Sequence, residues 1–236
     1  MSWKENYGLD TMDYKTETLV DVAYKAIKKD ITQRVLVPGQ KIIIRELYER
    51  YGISETPIKQ ALNRLISEGL VESTPRRGVN VRKVKLEEIE ELIDIRLMFE
   101  TRYIEKAIEN FNRDEKIRQK FIENLSEHKR LIENVSNVNE YFKNYSLDQE
   151  FHQLFMKCSG NNRLLQIYNN LGTHAYAYYV YGRQPRESMI EGVREHEAIY
   201  RALAAGDQAE LRRCIELHIM NAKKNIYEMF QKDQNS

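Results

Sequence analysis

The stretch from Lys41 to Val84 limits what this chain can fold into more than any other: two short helical patterns three residues apart, then two brief apolar runs around a Pro/Arg/Arg/Gly turn. In the first pattern Ile44, Leu47, Tyr48 and Tyr51 recur at i, i+3, i+4 and i+7, which lines one face of a helix. Gly52 closes it, since glycine enters a left-handed cap without a Cβ penalty. Ser54 then stands as N-cap ahead of Pro57, a residue that a first helical turn tolerates because the missing N–H has no intrahelical partner there. Ile58, Ala61, Leu62, Leu65 and Ile66 form the apolar face of the second helix, which Gly69 ends. Leu70-Val71 and Val79-Asn80-Val81 supply two strands, with Thr74 to Gly78 as their turn. The predicted order is helix, turn, helix, β-hairpin.

A helix-turn-helix places the N-terminal residues of its second helix in the DNA major groove. Ser54, Glu55, Thr56, Lys59 and Gln60 are therefore expected at bases and phosphates, and Arg76 and Arg77 at the wing tip beside phosphates, with Gly78 letting the backbone come close. A packed helical corner with solvated charges is the plainer reading, and the wing weakens it. Charge agrees with nucleic acid. The chain as a whole carries a net charge of +1, yet between Lys25 and Lys83 thirteen Lys/Arg stand against six Asp/Glu.

These residues resemble the signature of the GntR family of bacterial transcription regulators: Pro38-Gly39, Arg45-Glu46-Leu47, Gly52-Ile53-Ser54, Thr56-Pro57, Ala61-Leu62, Leu65, Gly69-Leu70-Val71 and Gly78. The resemblance implies that Arg45, Ser54, Thr56 and Gly78 approach DNA. Two positions depart from the pattern. Glu55 and Lys59 stand where the family has arginine, and a carboxylate accepts hydrogen bonds where an arginine donates two to guanine, so this chain's operator is expected to differ from the family's.

A length of 236 residues accommodates two domains, and 42% hydrophobic residues suffice for buried cores. Residues 1–15 are polar, with Trp3, Tyr7 and Tyr14 as their large rings, and read as a flexible arm. Thr16 to Val35 supplies a third helix for the head, giving a winged helix-turn-helix domain over residues 16–84. From residue 85 to 236 the pattern is of long helices: Leu86 to Phe111, Asn112 to Asn134, Val138 to Cys158, a Tyr-rich Leu164 to Tyr181, Arg186 to Ala205 and Gln208 to Phe230. The fold class is mainly α: three helices and a hairpin wing, followed by an all-α antiparallel bundle with short connections. Cys158 and Cys214 belong to no close-spaced redox or metal motif, and no apolar run reaches the roughly 18 residues of a membrane span, so a reduced, cytoplasmic protein without a membrane partner is expected.

All five histidines lie in the second part. His128 sits in a run of charges and is expected on the surface. Asp148 and His152, four apart, share one helix face. His196 and His218 flank Gly206-Asp207 nearly symmetrically, so in an antiparallel pair each stands roughly 16 Å from the turn, level with the other. One carboxylate and three imidazoles from three helices suit a divalent transition metal, zinc foremost, with nickel or manganese as alternatives. His174 is weighed as a core residue or as a cavity wall together with Tyr176, Tyr178, Tyr179 and Tyr181, and Arg96 as an ordinary partner of Glu100 or as a cavity cation.

The second part also resembles the FCD ligand-binding domain of the FadR branch of that family, on Arg96 and Glu100, then Asp148, Phe151, His152, Gly160, Asn161 and Leu164, then Glu195-His196, Ile199, Ala202-Leu203, Gly206-Asp207, and finally His218. The resemblance implies that Asp148, His152, His196 and His218 bind metal, that the metal helps to capture a small carboxylate effector, and that Arg96 is the cavity arginine beside it. The expected function is a homodimeric repressor on a two-fold-related double-stranded DNA operator. A metal-responsive regulator is one alternative. A metallohydrolase is another, although no H-E-x-x-H or comparable signature supplies its acid or base.

Overall fold

A computed structural model of the protein describes residues 18–76, 78–83, 85–133, 135, 138–171 and 184–234. Arg77, His174, the ring series from Tyr176 to Tyr181 and the expected arm at 1–15 lie outside the described residues.

The head begins with α1, Leu19–Thr32, opened by a capping box in which the Asp21 N–H donates to Thr18 Oγ1 and the Thr18 N–H donates to Asp21 Oδ2. Helix α2, Ile44–Tyr51, ends at Gly52 in the left-handed region (φ 66°), as the sequence predicts. Helix α3, Glu55–Ser67, has Ser54 at its N-cap, but the Ser54 side chain makes no cap hydrogen bond. Strands β1, Val71–Thr74, and β2, Gly78–Val81, pair antiparallel, with Val71 opposite Val81 and Thr74 opposite Gly78. The hairpin is thus tighter than its sequence suggests. Thr74 and Gly78 belong to the ladder, and Arg76 takes a positive φ of 65° to close the turn. Ala23, Ile27, Leu47, Ile58, Leu65 and Val81 gather into one apolar cluster beneath these elements.

The second cluster belongs to a set of helices: α4, Leu86–Arg102; α5, Ile104–Arg113; α6, Glu115–Glu133; α7, Val138–Cys158; α8, Asn162–Asn169; α9, Arg186–Ala205; and α10, Gln208–Gln234. Phe111, Phe121 and Phe151 fill its middle in edge-to-face pairs with centroids 5.7 and 5.3 Å apart. Helices α9 and α10 form an antiparallel hairpin around Gly206, whose φ of 71° favours glycine. The run expected as one helix from Leu86 to Phe111 is broken at Tyr103 (φ −112°, ψ 22°). No glycine or proline marks the break. Thr101 Oγ1 donates back to the Leu97 carbonyl, a bond that bends helices, and Arg212 on α10 donates to the Thr101 carbonyl at 3.2 Å. Among the described residues no helix is long and apolar enough to cross a membrane.

Candidate functional site

Asp148 and His152 stand one turn apart on α7, His196 on the middle of α9 and His218 on α10. The turn at Gly206-Asp207 sets His196 and His218 level, with ring centroids 4.6 Å apart. His152 Nε2 lies 3.1 Å from His218 Nε2 and 3.3 Å from His196 Nε2, and Asp148 Oδ1 lies 3.4 Å from His196 Nε2. One donor atom from each of the four falls within 4.8 Å of all the others, and all four residues are buried.

The outward nitrogens decide what the inward ones can do. His152 Nδ1 is 2.8 Å from Glu100 Oε2, and His218 Nδ1 is 2.7 Å from Glu195 Oε2. A carboxylate only accepts, so each Nδ1 must carry the proton, and each Nε2 then presents a lone pair to the others. The lone pairs of His152 and His218, 3.1 Å apart in a buried space, repel unless a proton or cation lies between them. Ligands held roughly 2.0–2.1 Å from one tetrahedral ion stand roughly 3.3–3.4 Å from each other; three pairs here lie at 3.1 to 3.4 Å and Asp148 Oδ1 lies 3.9 Å from His152 Nε2, so the residue types and their spacing fit a divalent transition metal. Burial also favours the neutral, ligating form: it holds the pKa of His152 below the ordinary histidine value and that of His196 well below it. For Asp148, burial pushes the carboxyl up, and positive charge nearby, Arg96 included, outweighs it and keeps the carboxyl below the usual range.

A cavity of about 320 Å³ adjoins these residues, with Arg96, His128, Asn144, Asp148, His218 and Asn221 among its walls. Arg96 pairs with Glu100, Nε to Oε1 at 3.2 Å, and also lines the cavity. His128 is a correction. Expected in solvent, it is 3% exposed and its Nε2 stands 2.8 Å from Asn144 Oδ1. Sequence reasoning gave no position to the outer carboxylate Glu195 beyond its motif. Its oxygens receive His218 Nδ1 and the Asn221 amide.

The candidates for DNA contact lie on α2, on the start of α3 and on the wing. Ser54, Glu55, Thr56 and Lys59 are exposed on the start of α3, and Glu55 and Lys59 form an ion pair of 2.8 Å. Arg45 on α2 is exposed and reaches Glu49 at 3.0 Å, while Arg76 and Gly78 (φ 90°) are exposed on the wing.

Comparison with known proteins accounts for both parts. Residues 19–81 match the bacterial regulatory proteins of the gntR family, and residues 91–221 match the FCD domain. The chain belongs to the GntR family of transcriptional regulators and carries an FCD domain. It is 21% identical over 227 residues to the HTH-type transcriptional repressor RspR of Escherichia coli (strain K12), spanning 95% of this chain and 96% of that protein. It is 27% identical over 180 residues to the uncharacterized HTH-type transcriptional regulator YdhC of Bacillus subtilis (strain 168), covering 75% and 77% of the two chains. The solved structure of E. coli McbR/YncC superposes with a TM-score of 0.63 at 22% identity, over 91% of this chain and 98% of that one, a likeness of fold. The families and relatives are transcriptional regulators, not enzymes.

Proposed function

We propose that this GntR-family regulator is a cytoplasmic, homodimeric repressor whose hold on a two-fold-related operator is controlled by a small carboxylate in a metal-containing cavity of the FCD domain. Residues 16–84 act as the DNA-binding head and 85–236 as the effector-binding and dimerising part. The observation that carries the reading is the convergence of three imidazole Nε2 atoms and one carboxylate oxygen within 4.8 Å, beside a cavity of about 320 Å³.

Asp148, His152, His196 and His218 would hold the metal. When bound, it supplies a Lewis-acidic anchor for a carboxylate oxygen. Arg96 faces the same cavity and adds a charge-assisted hydrogen bond to an anion there, while His128 and Asn144 offer polar groups to the rest of a small ligand. Such a wall disfavours an acyl chain, which would leave these buried polar groups without partners. For useful regulation the effector must favour one arrangement of the heads by about 1 to 3 kcal/mol.

Operator titrations of the metal-loaded and chelator-stripped protein, each with a panel of small carboxylates, test the proposal. Release from DNA by a carboxylate in the loaded protein, blunted after stripping, is the expected result. Release by zinc alone, with no carboxylate effect, makes the metal the signal instead, and carboxylate release unchanged by stripping refutes the metal's part.

A further inference from the structure

We infer that Glu100 is the positioning residue that ties the metal-ligand set to α4, so that loading of the site is transmitted to the helix that leaves the DNA-binding wing. This rests on the metal reading above and adds a residue and a route to it.

Helix α4 contributes none of the four ligands, which come from α7, α9 and α10. Yet Glu100 near its C-terminal end is 1% exposed, and its two oxygens have separate tasks. Oε2 accepts from His152 Nδ1 at 2.8 Å, while Oε1 accepts from the Tyr168 hydroxyl at 2.7 Å and from Arg96 Nε at 3.2 Å. One carboxylate thus joins α4 to α7 and α8. A buried carboxylate is costly unless it is fully satisfied, so an apolar side chain would serve packing better at this position. What Glu100 supplies and an apolar residue cannot is a fixed tautomer for His152: the proton stays on Nδ1 and the basic lone pair on Nε2. Glu195 does the same for His218, but from α9, which already supplies His196. Glu100 alone among these two brings a further helix under the control of the site.

That helix leads to the head. Its first turn carries Glu88, which pairs with Arg82 just beyond β2. The Arg82 N–H in turn donates to the Leu70 carbonyl at 3.0 Å, one residue ahead of β1. A pull on His152 therefore reaches the base of the wing through a single rigid element 17 residues long.

The test uses the full chain with Zn²⁺ and Co²⁺ as probes, without an effector. Zinc affinity is read by chelator competition, the ligand field by the visible spectrum of the Co²⁺ form, and the route by hydrogen exchange of residues 86–102 with and without zinc. In the wild type, zinc should slow exchange in α4, α9 and α10. Glu100→Gln should weaken zinc roughly 10- to 100-fold, alter the Co²⁺ spectrum, and at saturating zinc lose the protection in α4 while keeping it in α9 and α10. Tyr168→Phe, which removes one hydrogen bond on Oε1 and keeps the ring, should shift both readouts in the same direction by less. A folded Glu100→Gln protein with wild-type zinc affinity and α4 protection overturns the inference. If that variant does not fold, Tyr168→Phe with both quantities unchanged overturns it. A wild type that binds no zinc overturns the metal reading itself, and the two failures are thereby distinct.

Discussion

Zinc should stabilise this protein measurably, and loss of one ligand should remove that stabilisation. The four candidate donors come from helices whose residues lie 44 and 66 positions apart in the chain, so the unfolded chain holds no such site and zinc would bind the native state in preference. At a free concentration about a hundredfold above its dissociation constant, a native-state ligand adds about 2.7 kcal/mol. For a chain of this length each kcal/mol raises Tm by about 2–4 °C, so the expected rise is about 5–11 °C. His196→Ala is a compound perturbation. His196 stacks on Phe151 with centroids 4.1 Å apart and planes 6° apart, so the substitution also leaves a void and lowers the metal-free Tm. The informative quantity is the difference between zinc-loaded and chelator-treated Tm in each protein, in which the void cancels. Asp148→Asn, which keeps the shape and removes the ligand charge, gives an independent check. Thermal unfolding followed by circular dichroism, with elemental analysis of the same samples, measures both. Equal zinc-dependent shifts in wild type and His196→Ala, or a wild type with neither metal nor shift, refute the ligand assignment.

Gly160→Ala should cost about 2 kcal/mol, since the residue sits at φ +71° and an added Cβ would stand 2.9 Å from Asn110 Nδ2, whose hydrogen bond to the Cys158 carbonyl it would displace. Urea unfolding measures the loss, and a change below about 0.5 kcal/mol contradicts the strain argument. Arg76→Ala with Arg77→Ala should weaken binding to all DNA sequences alike and flatten the log–log salt dependence of a dimer by roughly 3 to 4, four phosphate contacts at about 0.9 each. A loss confined to one operator would show that the wing reads bases. Glu55→Arg breaks the 2.8 Å pair with Lys59 and places a guanine-reading side chain at the start of α3, so selection from randomised operators should return a different half-site. An unchanged half-site takes Glu55 out of the groove.

Much of the fold was legible because its turns are punctuated. Gly52, Gly160 and Gly206 all adopt positive φ where the sequence places helix ends, and the span Arg186–Ala205 was readable to the residue. The break at Tyr103 was not legible, for a definite reason. Ile93, Arg96, Glu100, Ile104, Ala107 and Phe111 keep the 3.6-residue period in phase across it, so the buried face runs on while the backbone bends. Part of the cause is Arg212, which lies 111 positions away and takes the Thr101 carbonyl. A local reading sees the period and not the distant donor.

The site divides along the same line. Asp148 with His152, and His196 with His218, follow from helix geometry within one helix or one hairpin, which is why spacing alone could bring them together. The second contact of His152 joins helices whose packing no spacing specifies: His152 with Glu100 at a separation of 52, and Glu100 in turn with Tyr168 at 68. His128 is the instructive error, because the signal was present. Phe121, Leu125, His128 and Ile132 recur at helical spacing and are all buried, while Lys129 and Arg130 next to His128 keep 55% and 76% of their side chains exposed. Successive residues on a helix turn by about 100°, so the flanks of an inward side chain point outward by construction. Charged neighbours are therefore what a buried histidine on an amphipathic helix should have, and they carry no weight against its burial. The face shared with Phe121 and Ile132 places His128 at the cavity, and with it a polar group that a molecule entering that cavity would have to satisfy.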